Sequence, residues 1–208
     1  MEIKNLNVSF GERTIFKNFN LNVNNTVTAI MGASGVGKTT LLKAISGIIE
    51  CNGEVLTEKI GYVFQEPRLV PSLTVLQNVA LVAGEEKAKN ILEKVELSAY
   101  ANFYPKELSG GMAQRVNLAR AFCTSNTILL DEPFKELDYS LKLRLIETFK
   151  ELLKPDTTAI LITHDVEEAI SLADRIIVLG KEPAEIVLDV TSKENNVKSK
   201  ILSCLNNF

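Results

Sequence analysis

One glycine-rich stretch, VTAIMGASGVGKTTLLKAISG from Val27 to Gly47, limits what this chain can fold into more than any other part of it. An apolar run, Val27 to Met31, meets a glycine-rich turn. The turn opens at once into a helical pattern whose apolar positions include Leu41, Leu42 and Ile45. The order is strand, loop, helix. Within it Gly32, Gly37, Lys38 and Thr39 fill the spacing G-x-x-x-x-G-K-[ST], which has a mechanical meaning. Glycines let the backbone turn tightly around an anion, so that amides near Gly35, Gly37 and Lys38 point at a β-phosphate. The helix start adds the positive end of its dipole. Lys38 can reach β- and γ-phosphate oxygens, and the Thr39 hydroxyl is placed to bind Mg²⁺ between them. A chance match to the spacing does not explain the strand before it and the helix after it, so the stretch predicts a nucleotide site.

The rest of the composition bounds the answer. At 208 residues the chain is long enough for one sizeable α/β domain, or one domain with a small insertion. Hydrophobic residues at 46% and charged residues at 24% fit an ordinary globular protein, which argues against disorder over most of the length. A formal net charge of −3 argues against binding nucleic acid through a broad basic face, and no nucleic-acid partner is expected. No apolar run approaches the roughly 20 residues of a membrane span, and the opening MEIKNLNVSF lacks the apolar core of a signal peptide. Cys51, Cys123 and Cys204 are odd in number and widely separated; they read as free thiols of a reducing cytosol without metal-ligand spacing.

In chain order, residues 2 to 31 read as β-rich, with alternation in IKNLNVSF and FNLNV and a turn at Phe10-Gly11-Glu12. This predicts an antiparallel flank leading into the phosphate loop. Cys51-Asn52-Gly53 reads as a turn, and Lys59 to Phe64 as a hairpin strand returning to the sheet. From about Thr74 to Tyr104 the period becomes helical, with Val75, Val79 and Val82 on one face and Ala88, Leu92 and Val95 on another. That predicts a small helical insertion, about residues 70 to 122, in a single domain spanning 1 to 208. The α/β rhythm resumes with a helix Gly110 to Phe122, a buried strand Ile128 to Leu130 and an amphipathic helix through Leu141, Leu145, Phe149 and Leu152. A strand Ala159 to Thr163, a helix Val166 to Ala173, strands Arg175 to Leu179 and Glu185 to Val190 and a weakly helical tail complete the chain. The fold class expected is α/β: a P-loop NTPase core with a mixed sheet, an antiparallel β flank and a small helical insertion.

A phosphate loop alone leaves kinases, GTPases, helicases and transport ATPases open. The segment LSGGMAQRV, Leu108 to Val116, narrows the field. Ser109 is placed as an N-cap, and Gly110 and Gly111 expose amides at a helix start, giving a second anion site. A plain capped helix does not explain why one small domain with one nucleotide has two such helix starts. The apolar strand TILLDEP ends in adjacent acids. Asp131 sits at the strand's carboxyl end, where a carboxylate can hold Mg²⁺ or its water, and Glu132 is the candidate general base for the water attacking a γ-phosphate.

With Leu108, Ser109, Gly110, Gly111, Gln114 and Arg115 as its signature segment, and its other motifs following in order across nearly the whole chain, the sequence resembles the ATP-binding subunit of an ABC transporter. The resemblance implies that two copies pair head to tail on binding ATP, each signature covering the γ-phosphate held by the other's loop. It extends the ATP-binding set to Ser34, Gly35, Thr40 and Asp138. Met112 departs from the commonest signature but is similar to what importers of nitrate, sulfonate and taurine type carry. After Pro133 the family usually shows a small residue, alanine, leucine and aspartate; here Lys135 and Glu136 precede the matching Leu137 and Asp138.

His164 is the chain's one histidine. Following AILIT and preceding Asp165 at a helix start, it resembles the family's switch histidine that touches the γ-phosphate. Gln65, ending IGYVF, is similar to the family's glutamine that binds Mg²⁺ or orients water on a loop facing the transmembrane partner. Phe10 resembles the aromatic that stacks on adenine, with core packing as the competing role. The resemblance thus implies an ATPase using ATP and Mg²⁺, cytoplasmic and peripheral on the inner face of the membrane. Its partners would be integral permease subunits and an extracytoplasmic solute-binding protein. One alternative within the family is the ATPase of an exporter. The alternatives outside transport are a non-transport ABC ATPase and a nucleotide-dependent switch with no meaningful turnover. The first typically carries a coiled-coil insertion or a second cassette, neither present in the sequence, and an intact Glu132 opposes the second.

Overall fold

The computed structural model describes residues 1–24, 26–123, 125–135 and 137–206; Glu136, named above beside Lys135, lies outside the described residues. In chain order the strands are β1 (Glu2–Phe10), β2 (Arg13–Asn22), β3 (Val27–Gly32), β4 (Asn52–Leu56), β5 (Ile60–Val63), β6 (Thr127–Asp131), β7 (Thr158–Ile162), β8 (Arg175–Gly180) and β9 (Glu185–Thr191). The helices are α1 (Lys38–Ile45), α2 (Val75–Ala83), α3 (Glu85–Lys94), α4 (Gly110–Phe122), α5 (Tyr139–Leu152), α6 (Val166–Leu172) and α7 (Val197–Leu205). The chain forms two compact units, Met1–Glu58 with Asp156–Phe208, and Lys59–Pro155.

The first unit is α/β. Strand β3 lies between β7 and β8, parallel to both, and β9 adds antiparallel on β8, so this sheet is mixed. Strands β7 and β8 are apolar runs buried over nearly their whole length, and so is β3. A parallel strand covered on both faces has no wet side, which is why these segments read as continuous apolar runs and not as alternations. The antiparallel flank is a three-stranded sheet in the order β2-β1-β4. Its inward residues Ile3, Leu6 and Val8 break strict alternation because the register shifts between Ile3 and Leu6, where Asn5 has φ 49°.

Two expectations change in this region. Asn52 and Gly53, read as a turn, begin β4 and pair with β1. Gly53 is required there: at φ 122° a Cβ would stand 2.6 Å from the carbonyl oxygen of Asn5, so the glycine that suggested a turn serves a close strand approach. The run Lys59 to Phe64 is not a hairpin return. Its strand, β5, runs parallel to β6, with Ile60 opposite Thr127 and Val63 opposite Leu130.

In the second unit, α2 starts on a capping box: the Thr74 hydroxyl accepts from the Gln77 amide at 3.3 Å, and the Gln77 side chain accepts from the Thr74 amide at 2.9 Å. Val75, Val79, Ala88, Leu92 and Val95 are buried as their spacing predicts. Val82 is not; it lies in the last turn of α2 and is 39% exposed. The lower core is aromatic, with Phe122 and Phe134 each meeting Phe149 edge to face, at centroid separations of 5.6 and 6.3 Å. Among the described residues no helix is long and apolar enough to cross a membrane.

Candidate functional site

In the first unit the phosphate loop leaves β3 and enters α1. Gly32 lies opposite Leu179 in the β8 ladder, and its φ of 143° brings its α-carbon so close that a Cβ would sit 2.3 Å from the Leu179 carbonyl oxygen. Gly37 is the N-cap of α1 at φ 112°, with Ile15 Cγ2 2.5 Å from where a Cβ would stand. No side chain caps this helix start, so its amide donors face the loop. The Lys38 ammonium donates to the carbonyls of Gly32 and Ala33, both at 2.8 Å, which fixes it over the loop's mouth. Ser34, Gly35 and Thr39 are exposed and Thr40 is half-buried.

A cavity of about 460 Å³ adjoins the loop, lined by Arg13, Ile15, Ser34, Gly35, Lys181 and Glu182 among others. Arg13 spans its edge, donating from Nε to Glu182 at 2.6 Å and from Nη2 to the Gly35 carbonyl at 3.3 Å. Sequence reasoning did not single out Arg13 or Glu182, which lie 169 residues apart in sequence. Phe10, at the end of β1, is 55% exposed, so core packing is not its role.

His164 leaves the sheet beside the loop. Ile30 pairs with Ile162, and the Thr163 amide donates to the Ile30 carbonyl at 3.4 Å, so β3 and β7 end at the same edge. The segment is braced on both sides of the exposed His164. The Thr163 hydroxyl donates to Glu168 at 2.5 Å, and Asp165 caps α6 by accepting from the Glu167 and Glu168 amides at 2.9 and 3.2 Å.

The second unit gathers the other candidates. The parallel register of β5 and β6 sets Gln65 and the acids Asp131 and Glu132 at adjoining strand ends. Asp131 is 6% exposed and accepts from the Tyr62 hydroxyl at 3.5 Å. Burial, and then the nearby Asp131 charge, push the Tyr62 phenol well above its ordinary range. Glu132 follows at φ 47°, a left-handed backbone uncommon for a residue with a side chain, and its carboxylate Oε2 lies 3.0 Å from the Lys135 ammonium.

Helix α4 begins as expected: the Ser109 hydroxyl accepts from the Met112 amide at 3.3 Å, Gly110 is exposed and Gly111 is buried. A Cβ on Gly111 would meet Leu141 Cδ2 of α5 at 2.1 Å. Asp138 caps α5, accepting from the Leu141 amide at 3.0 Å and the Ser140 hydroxyl at 2.7 Å, and these bonds hold its carboxyl below the usual range.

One side of α4 carries polar groups whose contacts sequence reasoning did not assign: Gln114 was named only within the signature segment, and Asn117 and Arg120 were not singled out. Gln114 donates to the Pro133 carbonyl at 2.8 Å, tying α4 to the turn after Glu132. Asn117 donates to the Phe64 carbonyl at 3.0 Å and Arg120 to the Arg68 carbonyl at 2.7 Å, so the same helix grips the segment on either side of Gln65. Asn78, fully buried, holds that segment's far end, accepting from the Val70 amide at 2.7 Å and donating to the carbonyls of Val70, Leu73 and Thr74. The available signal was the three-residue spacing of Gln114, Asn117 and Arg120 on one helix face.

A family model described as ABC transporter matches residues 16–135. The aliphatic sulfonates import ATP-binding protein SsuB 2 of Pseudomonas syringae pv. tomato is 38% identical over 196 residues, covering 89% of this chain and 84% of its own length. An SsuB protein of Bacillus cereus is 40% identical over 201 residues, covering 88% and 80%. Among solved structures, the ATP-binding cassette MJ0796, in a dimeric post-hydrolysis state bound to ADP and Pi, is similar with a TM-score of 0.80 and 31% identity, over 93% of this chain and 99% of that one.

Proposed function

The chain belongs to the ABC transporter family as an ATP-binding, ATP-hydrolysing subunit, and from that premise we propose that it powers an importer of small oxyanions, aliphatic sulfonates foremost. It works as a homodimer formed on ATP binding and docked on integral membrane permease subunits, with an extracytoplasmic solute-binding protein in the same system. It lies in the cytoplasm against the inner face of the membrane. Residues 1 to 208 are one catalytic domain, with the helices between about 70 and 122 as its insertion.

The observation that carries the dimer is the start of α4. Ser109 caps it, Gly110 is exposed and Gly111 packs on α5, which leaves amides for an anion in a unit that does not contain the phosphate loop. A second copy's γ-phosphate is the anion it takes, which makes ATP part of the interface and hydrolysis the event that releases it.

Each unit then has its own work. Amides of Gly32, Gly35 and Gly37 with Ser34 and Thr40 cradle phosphates, Lys38 neutralises the β- and γ-oxygens, Phe10 stacks on adenine, and His164 contacts the γ-phosphate. Mg²⁺ takes hard oxygen donors, and the Thr39 hydroxyl, the Gln65 amide oxygen and the buried Asp131 carboxylate suit it. When bound, Mg²⁺ neutralises charge on the phosphates. Glu132 accepts the proton of the attacking water as its oxygen joins the γ-phosphorus and the bond to ADP breaks. Asp138 faces the partner subunit.

The test uses Glu132→Gln and a subunit mixture. Glu132→Gln keeps ATP binding, loses turnover and accumulates as dimer in size exclusion with ATP and Mg²⁺; near wild-type hydrolysis by it would overturn the assignment. Ser109→Arg binds ATP as a monomer and fails to dimerise, and mixing it with Lys38→Ala restores some dimer through one composite site free of both lesions. Full dimerisation and activity of Ser109→Arg alone would refute the composite site.

A further inference from the structure

The ion pair between Lys135 and Glu132 is built into the turn that follows β6. Glu132 takes its left-handed backbone at φ 47°, and the Lys135 amide closes the turn on the Glu132 carbonyl at 3.2 Å. The turn returns the Lys135 side chain to Glu132, whose Oε2 is withdrawn from solvent and meets the ammonium at 3.0 Å. The lysine side chain is 37% exposed and the glutamate side chain 20%. The backbone, the sequence separation of three and the ionic contact therefore all direct one cation at one carboxylate.

We propose that Lys135 is a brake on Glu132, a positioning residue that holds the carboxylate to itself until the pair opens for catalysis. The inference rests on Glu132 being the general base. A carboxylate oxygen withdrawn from solvent and 3.0 Å from an ammonium is held toward that charge, and the side chain is turned toward it. To take a proton from water, the glutamate must leave the lysine or share its remaining oxygen. A partly exposed pair of this kind biases the equilibrium by a factor of about two to five, which makes it a brake that a partner surface can release and not a lock. The docked permease or the second subunit needs only to offer Lys135 another anion for the base to be freed. The device works through position alone.

Steady-state ATP hydrolysis by the purified subunit with Mg²⁺ tests this with Lys135→Ala, Lys135→Arg, Glu132→Gln and the double variant Glu132→Gln/Lys135→Ala. Lys135→Ala should raise kcat by about two- to fivefold and leave KM for ATP unchanged. Lys135→Arg, which keeps the cation, should stay at the wild-type rate, and the double variant should be as inactive as Glu132→Gln. A purely structural lysine would give a lower kcat, a changed KM or a lower melting temperature in Lys135→Ala. A kcat at or below wild type in Lys135→Ala, or an equal rise in Lys135→Arg, overturns the brake. The two readings fail separately: hydrolysis by Glu132→Gln removes the base itself, whereas an inactive Glu132→Gln beside an unaccelerated Lys135→Ala removes only the brake.

Discussion

Replacing Gly32 by alanine should damage the phosphate loop far more than the same change at Gly35, three residues on. At Gly32 two costs coincide. The backbone has φ 143°, where a side chain is strained by about 1–3 kcal/mol, and the new Cβ would be 2.3 Å from the Leu179 carbonyl oxygen. That oxygen belongs to backbone in the β8 ladder, so it cannot rotate aside as a flexible side chain would. Relieving the overlap requires β3 and β8 to separate at their carboxyl ends by about 1 Å, an overpacking cost of about 1–3 kcal/mol in a close-packed interior. The sum is about 4 kcal/mol. Gly35 also has positive φ, 79°, but nothing lies within 4 Å of its would-be Cβ, so alanine there costs only about 1–2 kcal/mol of conformational strain. Urea unfolding followed by circular dichroism separates them. With a slope of about 2 kcal/mol per M, the midpoint falls by about 2 M for Gly32→Ala and about 0.5–1 M for Gly35→Ala. Equal midpoints for the two variants would refute the account, because the close contact with the Leu179 carbonyl is the main difference between the two sites.

Three further outcomes follow from other contacts. Gln114→Leu removes the donor to the Pro133 carbonyl and leaves that oxygen buried, so stability should drop by about 1–3 kcal/mol in the same urea assay; no change would show the bond to be dispensable. Tyr62 titrates higher in the fold than its ordinary value near 10, so its contribution is complete below about pH 10 and is lost as pH rises beyond it. The melting-temperature advantage of wild type over Tyr62→Phe should therefore shrink on going from about pH 8 to about pH 11, and a constant gap would contradict it. Burial pushes the Cys123 thiol up to about 11, so at about pH 8 only about one in a thousand is thiolate. Mass spectrometry after a short iodoacetamide pulse should find Cys123 unmodified in the folded protein and alkylated after unfolding in urea.

Much of the site was legible because its chemistry depends on residue type at short spacing. The phosphate loop, the Ser109 cap and the acids ending β6 each lie within a few neighbouring positions, where glycine conformation, N-cap preference and strand burial decide the structure locally. The errors came where a local signal had a distant cause. Asn52 and Gly53 look like a turn because nothing nearby shows that Asn5 approaches Gly53 across a ladder. Lys59 to Phe64 has the length of a hairpin strand, but its partner, β6, begins more than sixty residues later. Val82 fits the helical period of Val75 and Val79, yet α2 stops before anything covers its last turn.

The polar contacts of α4 show the same limit. On one side of this helix Gln114 and Asn117 are buried, and they and Arg120 bond to backbone carbonyls far away in sequence. Pro133 and Phe64 supply those carbonyls because β5 and β6 end beside each other, a fact of register and not of propensity. One rigid helix thus holds the turn after Glu132 with one side chain and the Gln65 segment with two others. Hydrogen bonds from the one helix therefore connect that segment to the turn after Glu132. The Lys135–Glu132 contact lies on the same turn that Gln114 anchors through the Pro133 carbonyl.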